Sequence, residues 1–368
     1  MKVALVDRDI KKLIADKKIS SAFGFDLDGH TQPASIDLPV GDFAYVLKQK
    51  FLPFNNDVDY ILERFTIEKV DLRESGILYK GITYLIPTID VNLPDGTYAK
   101  MSPKSSIGRV DLLVRSIFDR VGLYDSVPPG SKGRVWIEVT PQSFNIRLKK
   151  GMPLNQMMLF ENIGANSSDH REVLNSACLG DDCFVYDENG YPLDANFYEK
   201  KLLMTLNAKK GSFVGYSGRH TNEVIDLSKK DEYDPNKFFK SIVTGNNDHG
   251  KLTLEKDRFY ILSTKERISV PLDYSSEMIP FFNQVGELRV HYAGFFDPGF
   301  GYGKEGEVKG CVAVLEVRPH ENITIYDGQP ICLMEFFKNK SMPDNPYGFS
   351  NNNYSSQTKV RLAKYFRQ

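Results

Sequence analysis

The chain has 368 residues, 41% of them hydrophobic and 26% charged, with a formal net charge of −1. At roughly 100–200 residues per domain, this length predicts two domains with enough apolar mass for two cores. The near-zero charge supplies no bulk field for holding DNA, RNA or an anionic membrane, so a polyanion would need a local cluster of cations.

No apolar run approaches the roughly 18 residues of a membrane span. Asp7, Asp9 and several lysines in the first turns argue against a secretory signal. From Asp7 to Lys17 the spacing of Ile10, Leu13 and Ile14 predicts a helix, with Asp7 available as its cap. Helical patterns are then scarce. Short runs such as Ile82–Ile86, Val135–Val139, Phe259–Leu262 and Val312–Val317 alternate with Gly, Pro, Asn and Asp clusters, which predicts many short strands.

Ser102 to Arg109 places two adjacent hydroxyls, Ser105 and Ser106, between Lys104 and Arg109. A turn of this composition can cradle a phosphate chain, although the plainer alternative is a solvated basic turn. It lacks the glycine frame of a P-loop. Further along, Tyr124 to Gly130 is a loose, proline-rich turn, and Glu138 sits in a strand-like run.

The stretch from Asn162 to Asn196 is polar and turn-rich and reads as a connection, and Ser228 to Lys251 reads as a polar insertion. Arg219 and His220 lie in a turn-like stretch with no evident role. The four cysteines, Cys178, Cys183, Cys311 and Cys332, lack the spacing of a disulfide framework or a zinc site, so a reducing cytoplasm is the plain expectation.

The second half then repeats the first. Met278-Ile279-Pro280 answers Met101-Ser102-Pro103; from Pro103 to Glu138 is 35 positions and from Pro280 to Glu316 is 36. The registers continue through Gly151-Met152-Pro153-Leu154 and Gly328-Gln329-Pro330-Ile331 to Phe160 and Phe337. The repeat predicts domains over 1–162 and 163–368, the second including a connection over 163–196. Where the first copy has Lys104-Ser105-Ser106, the second has Phe281-Phe282-Asn283, which cannot hold phosphate in the same way. Instead it carries Ala293 to Gly301 with Asp297-Pro298-Gly299, either a plain hairpin turn or one presenting Asp297 and backbone groups to a ligand.

Gly301 to Gly306 fits Gly-x-Gly-x-x-Gly but leads into a strand, which excludes a dinucleotide fingerprint. Glu138 and Glu316 alternate with apolar neighbours, so each is expected on a solvated strand face unless a bound base covers it. The tail from Pro346 to Gln357 is either a frayed end or an ordered flap, and its composition favours fraying. The histidines are scattered, and the His-x-Glu and Pro-Cys-x-x-Cys strings of zinc deaminases are absent.

Taken together, these residues resemble the dCTP deaminase and dUTPase superfamily, in particular its long, duplicated bacterial deaminases. Val6–Ile10 looks like the family's start, Ala34-Ser35-Ile36-Asp37-Leu38 with Gly41 is similar to its first motif, and Lys104–Arg109 resembles its phosphate-binding motif. Gln156 resembles the fourth motif, Ala293–Gly301 with Val314-Leu315-Glu316 looks like the base-binding hairpin and catalytic strand, and Tyr347, Tyr354 and Gln357 are similar to the closing flap. Asn353 departs from the lysine common there.

The resemblance implies a mainly β chain of two tandem dUTPase-like distorted β-barrel (β-clip) domains with a few short helices. It also implies a homo-oligomer or an intramolecular pseudo-oligomer. The implied activity is zinc-independent, cytoplasmic deamination of dCTP to dUTP and ammonia, with Mg2+ accompanying the triphosphate. Glu316 is then the general base, or Glu138 in its place. Lys104, Ser105, Ser106, Arg109 and Gln156 hold the nucleotide, together with Ala293, Asp297, Val314, Leu315, Tyr347, Tyr354 and Gln357. The alternatives are a dUTP diphosphatase, a bifunctional enzyme giving dUMP, and a nucleotide-binding regulator without turnover.

Overall fold

Two six-stranded sheets dominate the computed structural model, one in each of two compact units. The structure describes residues 2–162, 177–179, 182–245, 250–280, 288–291, 294–349 and 357–367, with the backbone alone for 280 and 288–291. The first unit takes the chain to residue 166 together with 221–233 and 339–344; the second takes 167–220, 234–338 and 345–368. The units are therefore not consecutive halves. Val224–Asp226 adds a parallel strand beside Asn145–Leu148 of the first unit, and Asn339 bridges Ala4. Both returns lie beyond the boundary expected at 162/163, and strand addition leaves no periodic trace.

In the first unit the large sheet runs in the order Thr66–Asp71, Phe43–Leu47, Tyr84–Asn92, Lys132–Pro141, Leu112–Phe118, with Ile19–Ser20 also on Tyr84–Asn92. A second sheet centres on Pro153–Asn162, flanked by Lys2–Ala4, Ile36–Pro39 and Thr97–Pro103, the last of which also pairs with Ser126–Val127. Ile36, Leu38, Ile89, Val91, Met101, Val135, Met157 and Leu159 fill the space these strands enclose. Alternation sends these residues inward from each strand.

The second unit repeats the large sheet strand for strand. Its sheet order is Phe239–Val243, Phe213–Gly218, Tyr260–Ile268, Cys311–Pro319, Leu288–His291, and Pro330–Lys338 lies between Lys201–Thr205 and Tyr274–Pro280. Met157 pairs Met101 and Met334 pairs Met278, while Glu138 pairs Leu85 and Glu316 pairs Ile261. The duplication read from residue spacing is thus a duplication of hydrogen-bond register.

Several expectations are corrected. The first helix is Asp7–Ala15, capped by Val6 rather than Asp7, whose buried carboxylate instead accepts the N–H groups of Arg8 and Asp344 at 2.9 Å each. Further helices occupy Val58–Phe65 and Ser105–Gly108. The supposed insertion at 228–251 holds Phe239–Val243, an integral strand of the large sheet. Cys178 and Cys183 are disulfide-bonded across a two-stranded ladder, although the cysteine spacing suggested no disulfide framework; Cys311 and Cys332 are free and buried.

Of the tail from Pro346 to Gln357, residues 350–356 lie outside the described residues; Gln357 is buried, and the chain beyond it is packed. Val360, Leu362, Ala363, Tyr365 and Phe366 are buried, and Phe366 lies edge-on to Phe238 and Phe239. Among the described residues no helix is long and apolar enough to cross a membrane.

Candidate active site

Strand Thr97–Pro103 delivers the chain to Lys104, and the single turn Ser105–Gly108 follows. Pro153–Asn162 runs antiparallel beside it, so Gln156 stands opposite Ser102 on one side and Asp37 on the other. The Lys104 N–H bonds Leu154 O at 3.1 Å, tying the turn to that strand. Lys104, Ser105, Ser106, Arg109 and Gln156 are thereby gathered in one unit. Ser106, Arg109 and Gln156 are buried, and Ser105 is half-buried.

The structure adds Asp37 to this group. Its carboxylate takes both contacts from Lys104 Nζ, at 2.5 and 2.6 Å, and a longer one from Gln32 Nε2 at 3.4 Å. His30 lies within their field; burial lowers its pKa, with the charge of Asp37 opposing and that of Lys104 reinforcing the shift. The first-motif spacing contained Asp37, but only folding brings it 67 residues along the chain to the lysine.

Glu138 occupies the middle of Lys132–Pro141, paired on both edges by Tyr84–Asn92 and Leu112–Phe118. The expected solvated face is absent. Trp136 and a cluster of Leu47, Val58, Leu62, Leu85 and Ile117 form a second core, with Tyr124 packed against it. Glu138 is 2% exposed, and its oxygens meet Lys50 Nζ at 2.8 Å and Tyr124 OH at 3.3 Å.

Burial, and then the charge of Glu138, push the Tyr124 hydroxyl up to about 12. The Arg115 guanidinium lies over the Tyr124 ring at 4.5 Å and pairs with Asp125, whose pKa burial raises against the pull of Arg115. Asp125 also accepts Ser116 N–H at 2.6 Å, and Ser116 Oγ accepts Asn155 Nδ2 at 2.7 Å. Asn155 stands opposite Pro103. A path of hydrogen bonds and one cation–π contact thus links the Glu138 surroundings to the strand beside Lys104. Lys50, Arg115 and Asn155 were missed in the sequence, having no motif and reaching the path only through strand pairing.

In the second unit Glu316 is equally central, on Cys311–Pro319, and 1% exposed. Val312 and Val314 alternate onto its side of the strand, whereas Ala313, Leu315 and Val317 belong to the main core. Leu315 therefore has only its backbone to offer a ligand. The tail returns to this strand: Gln357 Nε2 bonds Val312 O at 2.9 Å, and Val312 N bonds Gln357 O at 3.3 Å.

The turn carrying Asp297 meets Tyr347, whose N–H bonds Pro298 O at 2.7 Å and whose ring lies 5.8 Å from that of Phe300. Gly299, at φ +97°, permits that approach, since a Cβ there would fall 2.4 Å from Tyr347 O. Asp297, Glu316, Tyr347 and Gln357 are thus carried by one unit. Ala293, Phe281-Phe282-Asn283, Asn353 and Tyr354 lie outside the described residues. Among the described residues no three His, Cys, Asp or Glu side chains gather as a metal site.

Comparison with known proteins places this geometry. The 2'-deoxycytidine 5'-triphosphate deaminase (DCD) N-terminal domain matches residues 2–163, and the C-terminal domain of the same family matches 194–366. A "dCTP deaminase, dUMP-forming" of Leifsonia xyli subsp. xyli is 31% identical over 159 residues, 42% of this chain and 75% of that protein. A protein of the same name from Streptomyces coelicolor is 30% identical over 166 residues, covering 42% and 78%. A dCTP deaminase of Halorubrum lacusprofundi is 27% identical over 161 residues, covering 43% and 76%. The crystal structure of 2'-deoxycytidine 5'-triphosphate deaminase from Agrobacterium tumefaciens superposes with a TM-score of 0.82 at 32% identity, over 93% of this chain and 99% of that one. With both domains matched and a likeness along nearly its whole length, the chain belongs to the 2'-deoxycytidine 5'-triphosphate deaminase family, enzymes that act on the cytosine amine.

Proposed function

We propose that the chain deaminates dCTP with water, giving ammonia and dUTP, and then hydrolyses the uracil nucleotide to dUMP and pyrophosphate. The observation that carries the second step is the likeness, at 30–31% identity over three quarters or more of their length, to deaminases named as dUMP-forming. The reading that stops at dUTP draws on the Agrobacterium protein, which matches along nearly the whole chain and bears the unqualified deaminase name.

Water attacks C4 of cytosine while the base gains protons, so one carboxylate must take the water's proton and return it. We assign that work to Glu316. It belongs to the copy that keeps the Asp297-Pro298-Gly299 hairpin, complementing the Lys104–Arg109 turn kept by the copy that holds Glu138. The Ala293 carbonyl helps hold the water. Lys104, Ser105, Ser106 and Arg109 take the triphosphate, which arrives with Mg2+ as part of the substrate. Asp297 meets the deoxyribose and, in the second step, orients water at phosphorus.

Incubation with dCTP and Mg2+ tests the whole reading. Ammonia with dUMP and pyrophosphate is expected; ammonia with dUTP alone removes the second step, and binding without product leaves a regulator. Glu316→Gln is expected to lower kcat by about a hundredfold or more, the scale of a lost general base. An active Glu316→Gln enzyme beside a dead Glu138→Gln enzyme would transfer the role to Glu138.

A further inference from the structure

A cavity of about 330 Å³ in the second unit is lined by Ser217, Gly218, Arg219, His220, Lys240 and Arg258. Three of these side chains carry fixed positive charge, and no carboxylate lines the space. Two of the cations are braced from behind. Arg219 Nε bonds Phe239 O at 3.1 Å, and Arg258 Nη1 pairs with Glu255 at 3.0 Å. Arg258 Nε is buried and, among the described residues, has no hydrogen-bond partner. The Ser217 residue is buried at 7% exposure.

The convergence is not dictated by the fold, because the first unit has the same corner without it. Leu47 N bonds Thr83 O and Lys48 N bonds Phe65 O at 2.9 Å; Gly218 N bonds Phe259 O at 2.8 Å and Arg219 N bonds Phe238 O at 2.7 Å. Tyr84 OH accepts the Tyr79 N–H just as Tyr260 OH accepts the Glu255 N–H. By this register Arg219 answers Lys48, Arg258 answers Ile82, and Lys240 falls at Ile67 and Glu68. The first unit exposes Ile67 and Ile82 there, and the second puts cations in their places.

Like charges converging on one concavity repel unless an anion joins them. Guanidinium forks with a serine hydroxyl and an ammonium form a donor set suited to phosphate oxygens. We propose that this cavity binds an oligophosphate chain, and so gives the second unit a phosphate site of its own beyond Lys104–Arg109. A space of about 330 Å³ suits a short phosphate chain rather than a polymer backbone. The assignment does not depend on which glutamate works or on the final product.

The test is calorimetric titration of the full chain with inorganic tripolyphosphate. Wild type is expected to show a binding event that Lys240→Ile with Arg258→Ile, the first unit's apolar character, weakens about tenfold or more. Lys104→Ala should leave that event in place. Lys240→Gln, a single exposed change, is expected to weaken it about threefold and guards against misfolding of the double variant. Unchanged binding in both Lys240 variants overturns the proposal, as does loss of all binding in Lys104→Ala. A nucleoside triphosphate binding there as tightly as tripolyphosphate assigns recognition to the phosphates alone; preference for a single-stranded RNA oligomer overturns the oligophosphate assignment.

Discussion

Replacing Lys50 with Met isolates what holds Glu138 in place. The substitution keeps the apolar stem and removes the ammonium 2.8 Å from a carboxylate that is 2% exposed. Leaving a buried charge without its partner costs about 3–5 kcal/mol when both groups are buried. Here the Lys50 side chain is 44% exposed and water screens part of the attraction, while Tyr124 OH stays at 3.3 Å. The expected loss is therefore about 1–2 kcal/mol. At about 2–4 °C per kcal/mol for a unit of this size, the first unit's Tm should fall by about 2–8 °C. Differential scanning calorimetry of Lys50→Met, Glu138→Gln and the double variant supplies the cycle, with a coupling of about 1–2 kcal/mol expected. A coupling within about 0.3 kcal/mol of zero would refute the reasoning. Turnover should survive in Lys50→Met if Glu138 is structural, and collapse if Glu138 is the base.

Three further outcomes are expected. Burial raises the Cys311 thiol to about 11 and the Cys332 thiol further still, so a thiol reagent at pH 8 should find almost nothing in the native protein. Denaturation should release the two free cysteines and reduction all four; two fast native thiols would contradict the Cys178–Cys183 bond. Gly299→Ala combines a left-handed backbone with a Cβ 2.4 Å from Tyr347 O, and should cost about 2 kcal/mol or more in chemical denaturation; a neutral effect would show that the turn and tail do not pack as described. Burial raises the Glu266 carboxyl against the hydrogen bonds from Thr205. The folded state thus holds a proton that the unfolded state releases, and stability falls as pH rises from the ordinary carboxylate range through the raised pKa. Glu266→Gln can keep both Thr205 contacts without that charge, so its Tm should gain on wild type as pH rises above the ordinary carboxylate range; parallel curves would sink the idea.

Local sequence carried much of the fold. Strand composition, the Met-x-Pro repeats and the matched spacing to Glu138 and Glu316 reported the duplication, because strand pairing at fixed register preserves spacing. The Lys104–Arg109 turn was legible for the same reason, being contiguous and locally unusual. Solvent exposure was not legible. Alternation in Val135–Val139 suggests a half-wet strand, but a central strand whose Trp136 face is covered by Val58 and Leu62 has no wet face.

By itself the sequence determined a two-fold repeat of short strands and the asymmetry between its copies, a phosphate-type turn in one and an Asp-Pro-Gly hairpin in the other. Only the tertiary structure decided the partners. Asp37 meets Lys104, Lys50 meets Glu138, and Arg219 joins Lys240 and Arg258 around one cavity. It also decided that residues 221–233 and 339–344 return to the first unit. The physical reason is common to all of these. Ion pairs, cavities and added strands depend on distance in space, and sheet pairing brings together residues whose separation along the chain carries no signal.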